Sequence, residues 1–242
     1  MPFGLSNAPS SFQATVNNIF REFLRRYVLM FFDDILIYSE SWPAHITHLT
    51  VILETLRRHQ LFVKLSKCEF GTPSIAYLGH IISDMGVSVD PSKIEVIKAW
   101  ALPKTVKQLR GFLGLTGYYC RFVSHFATFA GPLTAFQYKD SFVWSRATTD
   151  GFQALKTALM DTPILALPNF SDTFTIHIDA SAVGIGVVLS QSGHPIAYFS
   201  KTLPPRMQLQ SAYAREFFAI TEVVRKWRQY LFGRHFIIVT DH

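Results

Sequence analysis

Apolar positions recur along this chain with two different periods. In NAPSSFQATVNNIFREFL, Phe12, Val16, Ile19, Phe20 and Phe23 stand at helical spacing, and Ser10 or Ser11 offers a cap. Residues 27–38 read YVLMFFDDILIY: two apolar runs interrupted only by Asp33 and Asp34, the signature of a β-hairpin. A two-residue hairpin turn favours positive φ, which Asp-Asp tolerates less well than glycine does. The expectation is a mildly strained turn built from two acids, a conformation that points to function. Residues 42–60 predict a helix with Ile46, Leu49, Ile52, Leu53 and Leu56 facing inward. Residues 74–90 read as two short strands around a Met-Gly turn.

Further along, residues 91–123 predict two helical pieces broken near Leu102-Pro103. Residues 131–170, with Pro132, Pro163 and Pro168, look like a connector around one helix at 149–160. From residue 172 the pattern changes. TFTIHIDAS alternates strictly, and GIGVVLSQ and IAYFSKTL follow as strands across a Ser-Gly turn at 192–193. SAYAREFFAITEVVRKWRQYLFG is a helix closed by Gly233, and HFIIVTD is a last strand. Three strands, a helix and a further strand make an α/β unit with a mixed sheet. No internal repeat or low-complexity tract interrupts the pattern.

Composition narrows the class. With 242 residues, 49% of them hydrophobic, the chain can bury one large or two small cores. Its formal net charge of +6 favours polyanionic partners. The cations concentrate in residues 91–123, where Lys93, Lys98, Lys104, Lys107, Arg110 and Arg121 face a single acid, Glu95, among Trp100, Phe112, Tyr118, Tyr119 and Phe122. Cys68 and Cys120 show no metal spacing, which fits a reducing, intracellular setting. No apolar stretch reaches the roughly 18–20 residues of a membrane span. MPFGLSNAPSSFQ lacks the basic-then-apolar pattern of a signal peptide. Because MPFGL has no preceding element to pair with and HFIIVTDH stops on a strand, a fragment of a longer protein is expected.

A second group of acids stands among apolar elements. Asp179 ends the strand TFTIHID on the face opposite Phe174, Ile176 and Ile178. Glu216 has Ile220, Val223 and Trp227 at four, seven and eleven residues ahead, within about 40° of the apolar stripe. Asp241 closes the apolar strand FIIVT. Inward-facing carboxylates need partners, and few cations are placed to serve all three. Mg²⁺ satisfies such acids together with water and phosphate oxygens. Two such ions about 4 Å apart can clamp a phosphodiester. The blander reading makes each acid a cap or turn residue.

PFGLSNAP…FQ, FFDDILIYS, SKCEF…YLGHIIS, LRGFLGLTGYY and IDAS…GIGVVL…PIAYFSKTL…REFFAI…WRQYLFGRHFIIVTD occur in that order. Over essentially its whole length the chain closely resembles the Pol polyprotein of gypsy-type long-terminal-repeat retrotransposons, from part-way through the reverse transcriptase to part-way through the ribonuclease H. The resemblance implies an α/β (α+β) chain: a partial right-hand polymerase palm (1–90) and thumb (91–130), a connection (131–170), and a ribonuclease H-like mixed-sheet domain (171–242), truncated at both ends. It implies RNA-directed DNA synthesis and cleavage of RNA in RNA–DNA hybrids in the parent protein. Two Mg²⁺ ions per site, with Mn²⁺ as a substitute, would serve both reactions. RNA template, hybrid and dNTPs would be the partners, along with the rest of the polyprotein.

The resemblance also implies residue roles. Phe3 and Gly4 would approach the incoming nucleotide, and Gln13 would orient the template. FFDD resembles the YxDD hairpin of polymerases, with Asp33 as a metal ligand, Asp34 beside it, and Phe31 in place of the usual Tyr. Tyr77, Leu78, Gly79 and His80 resemble the primer grip. Lys104, Lys107, Arg110 and Arg121 would follow the nucleic-acid backbone. Asp179, Glu216 and Asp241 match three of four ribonuclease H metal-binding acids. The family has a further polymerase Asp on a strand upstream of MPFGL and its fourth ribonuclease H acid further downstream. Neither is in this sequence, so each site is expected to be incomplete within it. Cys120 stands where a basic residue is usual. The alternative is a catalytically inactive remnant that at most binds nucleic acid through residues 91–123.

Three other features are read as structural. His45 and His48, three residues apart on a helix, could suit a metal, but with no Cys or acid at matching spacing they are expected on a solvated helix face. Gly111, Gly114 and Gly117 recur within a helical pattern and suggest close helix packing, not a phosphate loop. Ser190 and Ser192 have no paired His and Asp.

Overall fold

A computed structural model describes residues 7–138 and 142–240. The chain divides into two compact units, one ending at Tyr77 and the other beginning at Leu78.

The first unit opens with α1 (Ala8–Ile19), which starts after Asn7 with a proline in its first turn; neither expected serine caps it. A hairpin of β1 (Val28–Phe31) and β2 (Asp34–Ile37) follows, then α2 (Trp42–Arg58) and the short strand β3 (Ser74–Tyr77). Val16, Phe20, Val28, Ile52 and Leu56 form its core. Ser41 caps α2 by accepting from the Ala44 N–H at 3.4 Å. The inward face of α2 differs from the expected one. Ile52, Thr55 and Leu56 are buried, whereas Ile46 and Leu53 are 46% and 40% exposed. The inward stripe therefore continues back through Leu49, His48 and His45, all half-buried. Hydropathy alone misplaced the stripe, because a two-stranded hairpin covers only part of the apolar surface and aromatic contacts draw the imidazoles inward.

In the second unit, β4 (His80–Ser83) and β5 (Gly86–Val89) form an antiparallel hairpin with Ser83 opposite Gly86, so Asp84 and Met85 make the turn. The expected Met-Gly turn is thus displaced by one residue. Gly86, at φ +129, starts β5 where the backbone exchanges two hydrogen bonds with Leu165 from Val87, each 2.8 Å. A Cβ at Gly86 would stand 2.2 Å from the Leu165 carbonyl oxygen.

Asp90 caps α3 (Pro91–Lys98), accepting from the Ser92 N–H, and the Ser92 side chain and then that N–H hold its carboxyl below the ordinary pKa. Thr105 caps α4 (Val106–Tyr118). The expected connector with one helix is in fact two packed helices, α5 (Phe126–Phe136) and α6 (Arg146–Met160). A Ser145/Thr148 capping box starts α6 three residues earlier than its apolar period suggested. Gly151 lets the two helices approach: a Cβ there would lie 2.8 Å from the Phe129 carbonyl oxygen. Leu109, Phe112, Tyr119, Leu133, Phe152 and Leu155 lie in the core these helices share.

The unit ends in a four-stranded mixed sheet. β6 (Phe174–Ala180), β7 (Gly184–Gln191) and β8 (His194–Thr202) are antiparallel. After α7 (Pro205–Gln208), α8 (Ala212–Lys226) and α9 (Arg228–Leu231), β9 (Phe236–Val239) joins parallel to β6. The order is β8-β7-β6-β9. Ser192 and Gly193 take the left-handed conformations expected of their turn, φ 49 and 79. The single long helix expected here breaks at Trp227. Phe174, Ile176 and Ile178 of β6 share a core with Ala219 and Val223 of α8, so this helix covers one face of the sheet.

Gly86→Ala introduces both a forbidden φ and a backbone collision, and is expected to destabilise the second unit by about 2 kcal/mol or more. Denaturant unfolding of the two proteins measures the difference.

Candidate metal and nucleic-acid sites

In the first hairpin, Phe31 pairs with Asp34. The two turn residues are therefore Phe32 and Asp33, not the expected Asp33 and Asp34. Phe32 carries the left-handed conformation, φ 50, and Asp34 opens β2. The reason is register: Val28 pairs with Ile37 and Met30 with Ile35 on the face that packs in the unit's core, and Leu29 with the buried Leu36 on the other, which fixes the tip one residue earlier. The Phe32 N–H donates to Gln13 Oε1 at 2.6 Å, while Gln13 Nε2 donates to Asn17 Oδ1 at 2.9 Å. Gln13, expected on the template, thus braces the strained tip from α1. Phe31 and Phe32 meet edge to face at 4.7 Å. Asp33 and Asp34 are both exposed, and neither is in an ion pair among the described residues. Burial raises the Tyr77 hydroxyl pKa, with a further push from the charge of Asp34. Phe3 and Gly4 lie outside the described residues.

At YLGH, Leu78 and Gly79 are both left-handed, φ 49 and 75. Two hydroxyls from the end of α4 hold them: Tyr118 donates to the Leu78 carbonyl at 2.8 Å and Tyr119 to that of Gly79 at 3.0 Å. The His80 ring stacks on Tyr118 and meets Tyr119 edge-on, with Phe122 beside it. Its Nδ1 is buried with no hydrogen-bond partner. Burial, and then the positive charge of Arg121, push the imidazole pKa below its ordinary value.

The exposed face of α4 carries the cations. Leu109, Phe112 and Thr116 are buried, and by helical geometry Lys107, Arg110, Gly111, Gly114 and Gly117 lie on the opposite side. The expected close packing at these glycines is not found. A Cβ at Gly114 or Gly117 would meet nothing within 4 Å, and one at Gly111 only Trp100 at 3.7 Å. Lys104 stands exposed just before the helix. Arg121 departs from the group: a 3-10 turn carries it off the helix, its guanidinium donates to the Ile196 carbonyl at 3.4 Å, and its Nε is buried. Its contacts join the helical layer to the sheet.

Asp179 is exposed near the end of β6, opposite Gly186 and on the face away from Ile176 and Ile178, as strand alternation requires. It lines a cavity of about 190 Å³ with His125, Thr128, Gly186 and Lys201. The His125 ring covers Gly186, where a Cβ would stand 2.9 Å from Nδ1. Glu216, 7% exposed, lies on the covered side of α8 with Ala219 and Val223. Asp241 lies outside the described residues. Among the described residues, no group of three or more His, Cys, Asp or Glu side chains is placed to hold a metal ion. The donors themselves suit a hard divalent ion: paired carboxylates without a counter-cation at the hairpin tip, and Asp179 open to solvent.

Comparison with known proteins supplies the class. Residues 1–82 match the model of the reverse transcriptase (RNA-dependent DNA polymerase) family, and residues 144–238 match the RNase H-like domain found in reverse transcriptase. The retrovirus-related Pol polyprotein from transposon 297 of Drosophila melanogaster is 38% identical over 244 residues, a match covering 100% of this chain and 23% of that protein. That from transposon gypsy of the same species is 35% identical, covering 100% and 25%. The transposon Tf2-3 polyprotein of Schizosaccharomyces pombe is 32% identical, covering 100% and 19%. The chain belongs to the reverse transcriptase and RNase H segment of long-terminal-repeat retrotransposon Pol polyproteins, and spans about a fifth to a quarter of the length of these relatives. Among solved structures, foamy viral protease-reverse transcriptase in complex with RNA/DNA hybrid superposes with a TM-score of 0.86 at 20% identity, covering 100% of this chain and 33% of that one. A dRH form of the same protein with double-stranded DNA gives 0.90, covering 100% and 43%. At that identity the likeness establishes the fold.

A histidine whose folded-state pKa is depressed stabilises fully above its unfolded value, near 6.5, and the contribution is lost as pH falls from there through the folded value. Unfolding midpoints are therefore expected to drop between neutral and mildly acid pH, and to drop less in His80→Phe. Equal acid sensitivity in the two proteins would contradict a neutral, caged His80.

Proposed function

We propose that the protein containing this chain performs RNA-directed DNA synthesis and cleaves the RNA strand of RNA–DNA hybrids. The observation that carries this reading is the hairpin tip, where Asp33 in the turn and Asp34 at the start of β2 stand exposed, with no ion pair among the described residues, beside a turn braced by Gln13. Reverse transcriptases and RNases H generally use divalent metals. Asp33 and Asp34 would hold Mg²⁺ in the polymerase site, and Asp179, Glu216 and Asp241 in the RNase H-like site. When bound, such ions lower the pKa of a hydroxyl or water nucleophile and neutralise phosphate charge.

The remaining roles belong to the chain. Gln13 keeps the Phe32 turn rigid, so the carboxylates are presented without reorganisation. The left-handed turn at Leu78 and Gly79, clamped by Tyr118 and Tyr119, would support the primer end. Lys104, Lys107 and Arg110 would bind phosphates, while the side-chain-free surface at Gly114 and Gly117 lets a duplex approach the α4 backbone. Recognition there would be of hybrid shape and charge rather than sequence. In this reading residues 1–90 serve as palm, 91–130 as thumb, 131–170 as connection and 171–242 as the RNase H-like domain.

In a Pol protein carrying this chain, Asp33→Asn is expected to lower the primer-extension rate about a thousandfold or more while leaving hybrid affinity nearly unchanged. Asp179→Asn is expected to abolish hybrid cleavage and spare extension. Extension and cleavage absent from the parental protein, with hybrid binding retained, would instead mark a remnant that only binds nucleic acid. For that binding, Lys107→Ala and Arg110→Ala are each expected to reduce the slope of log affinity against log salt by about 1. Fluorescence-anisotropy titrations over a range of salt measure it.

A further inference from the structure

His45 and His48 are not on a solvated face. Both are half-buried on the inward stripe of α2, and both aim Nδ1 at the same atom. Ser39 Oγ, just beyond β2, lies 2.7 Å from His48 Nδ1 and 3.3 Å from His45 Nδ1. Aromatic partners fix both ring planes. Tyr27 stacks on His48 at 3.7 Å and 4°, and Trp42 stacks on His45 at 5.8 Å and 26°. One serine proton serves only one of the two nitrogens, so the other imidazole must carry its proton on Nδ1 and donate to Oγ.

We propose that Ser39, His45 and His48 form a binding site for a borderline transition-metal cation such as Zn²⁺, with the two Nδ1 atoms as ligands. Two imidazoles three residues apart on one helix, converging on a single point, form a preorganised nitrogen pair. Each needs only a modest ring shift to reach the roughly 2.0–2.1 Å of a zinc–nitrogen bond. Binding moves one proton from Nδ1 to Nε2 through solvent, so both rings present a lone pair and no net proton is released. The serine oxygen and water complete the coordination. Imidazole donors favour such ions over Mg²⁺, which separates this site from the carboxylates of the hairpin tip. A bound ion cross-links the first turns of α2 to the end of β2, and stabilises the folded unit by mass action.

The test is Zn²⁺ titration of the whole chain by calorimetry in excess Mg²⁺, with circular dichroism confirming that each variant is folded. One saturable event is expected, lost in the double variant His45→Gln/His48→Gln and weakened in Ser39→Ala, where water replaces the serine oxygen. Should the double variant fail to fold, His45→Gln alone is expected to weaken binding about tenfold or more. Cu²⁺ provides a second readout: saturable quenching of tryptophan fluorescence that disappears in Trp42→Phe. Unchanged Zn²⁺ affinity in the histidine variants overturns the proposal. So does displacement by Mg²⁺, or quenching indifferent to Trp42.

Discussion

A carboxylate carries a desolvation penalty of several kcal/mol if it is buried without a partner. Each unit is arranged around that penalty. In the first, buried β1 and β2 residues fix a register that leaves Asp33 in the turn and Asp34 at the adjoining strand end, both in water. In the second, alternation along β6 sends Ile176 and Ile178 into the core and Asp179 out of it. Glu216 is the exception, held on the covered side of α8 and engaged by its surroundings. Rigid apolar elements thus deliver acids to fixed places, as metal-dependent phosphate chemistry requires.

Strained backbone marks the same regions, and neighbouring side chains stabilise it. Phe32 is left-handed and its N–H is held by Gln13. Leu78 and Gly79 are left-handed and their carbonyls are held by Tyr118 and Tyr119. A left-handed non-glycine residue costs of order 1–3 kcal/mol, so it persists only where its surroundings impose it. In both turns the bracing group comes from a helix, which couples the turn to a large packed element instead of leaving it to fray.

The α4 surface shows how absence of side chains can be informative. Its core face is dense with Leu109, Phe112 and Thr116, while its outer face carries cations among glycines, two of which, Gly114 and Gly117, face open space. Glycine inside a helix is unfavourable by about 0.5–1 kcal/mol relative to alanine. Packing does not account for that cost at Gly114 and Gly117, since an added Cβ meets open space.

The sequence by itself determined the first hairpin and its flanking helices, the mixed sheet with its Ser-Gly turn, the outward face of Asp179 and the inward face of Glu216. Each follows from a period or an offset within one element. Its ordered motifs also carried the family. What only the tertiary structure decided depends on contacts between elements. The hairpin tip moved to Phe32 and Asp33 because cross-strand register, not the charge pattern, sets a turn. Arg121 parted from the exposed cations of α4 because a 3-10 turn aims it at the sheet. His45 and His48 came inward because Ser39 and Tyr27, from the hairpin and its flanks, meet their rings when α2 packs. Periodicity reports how a residue is oriented on its own element. Which atoms it meets is settled only when the elements pack.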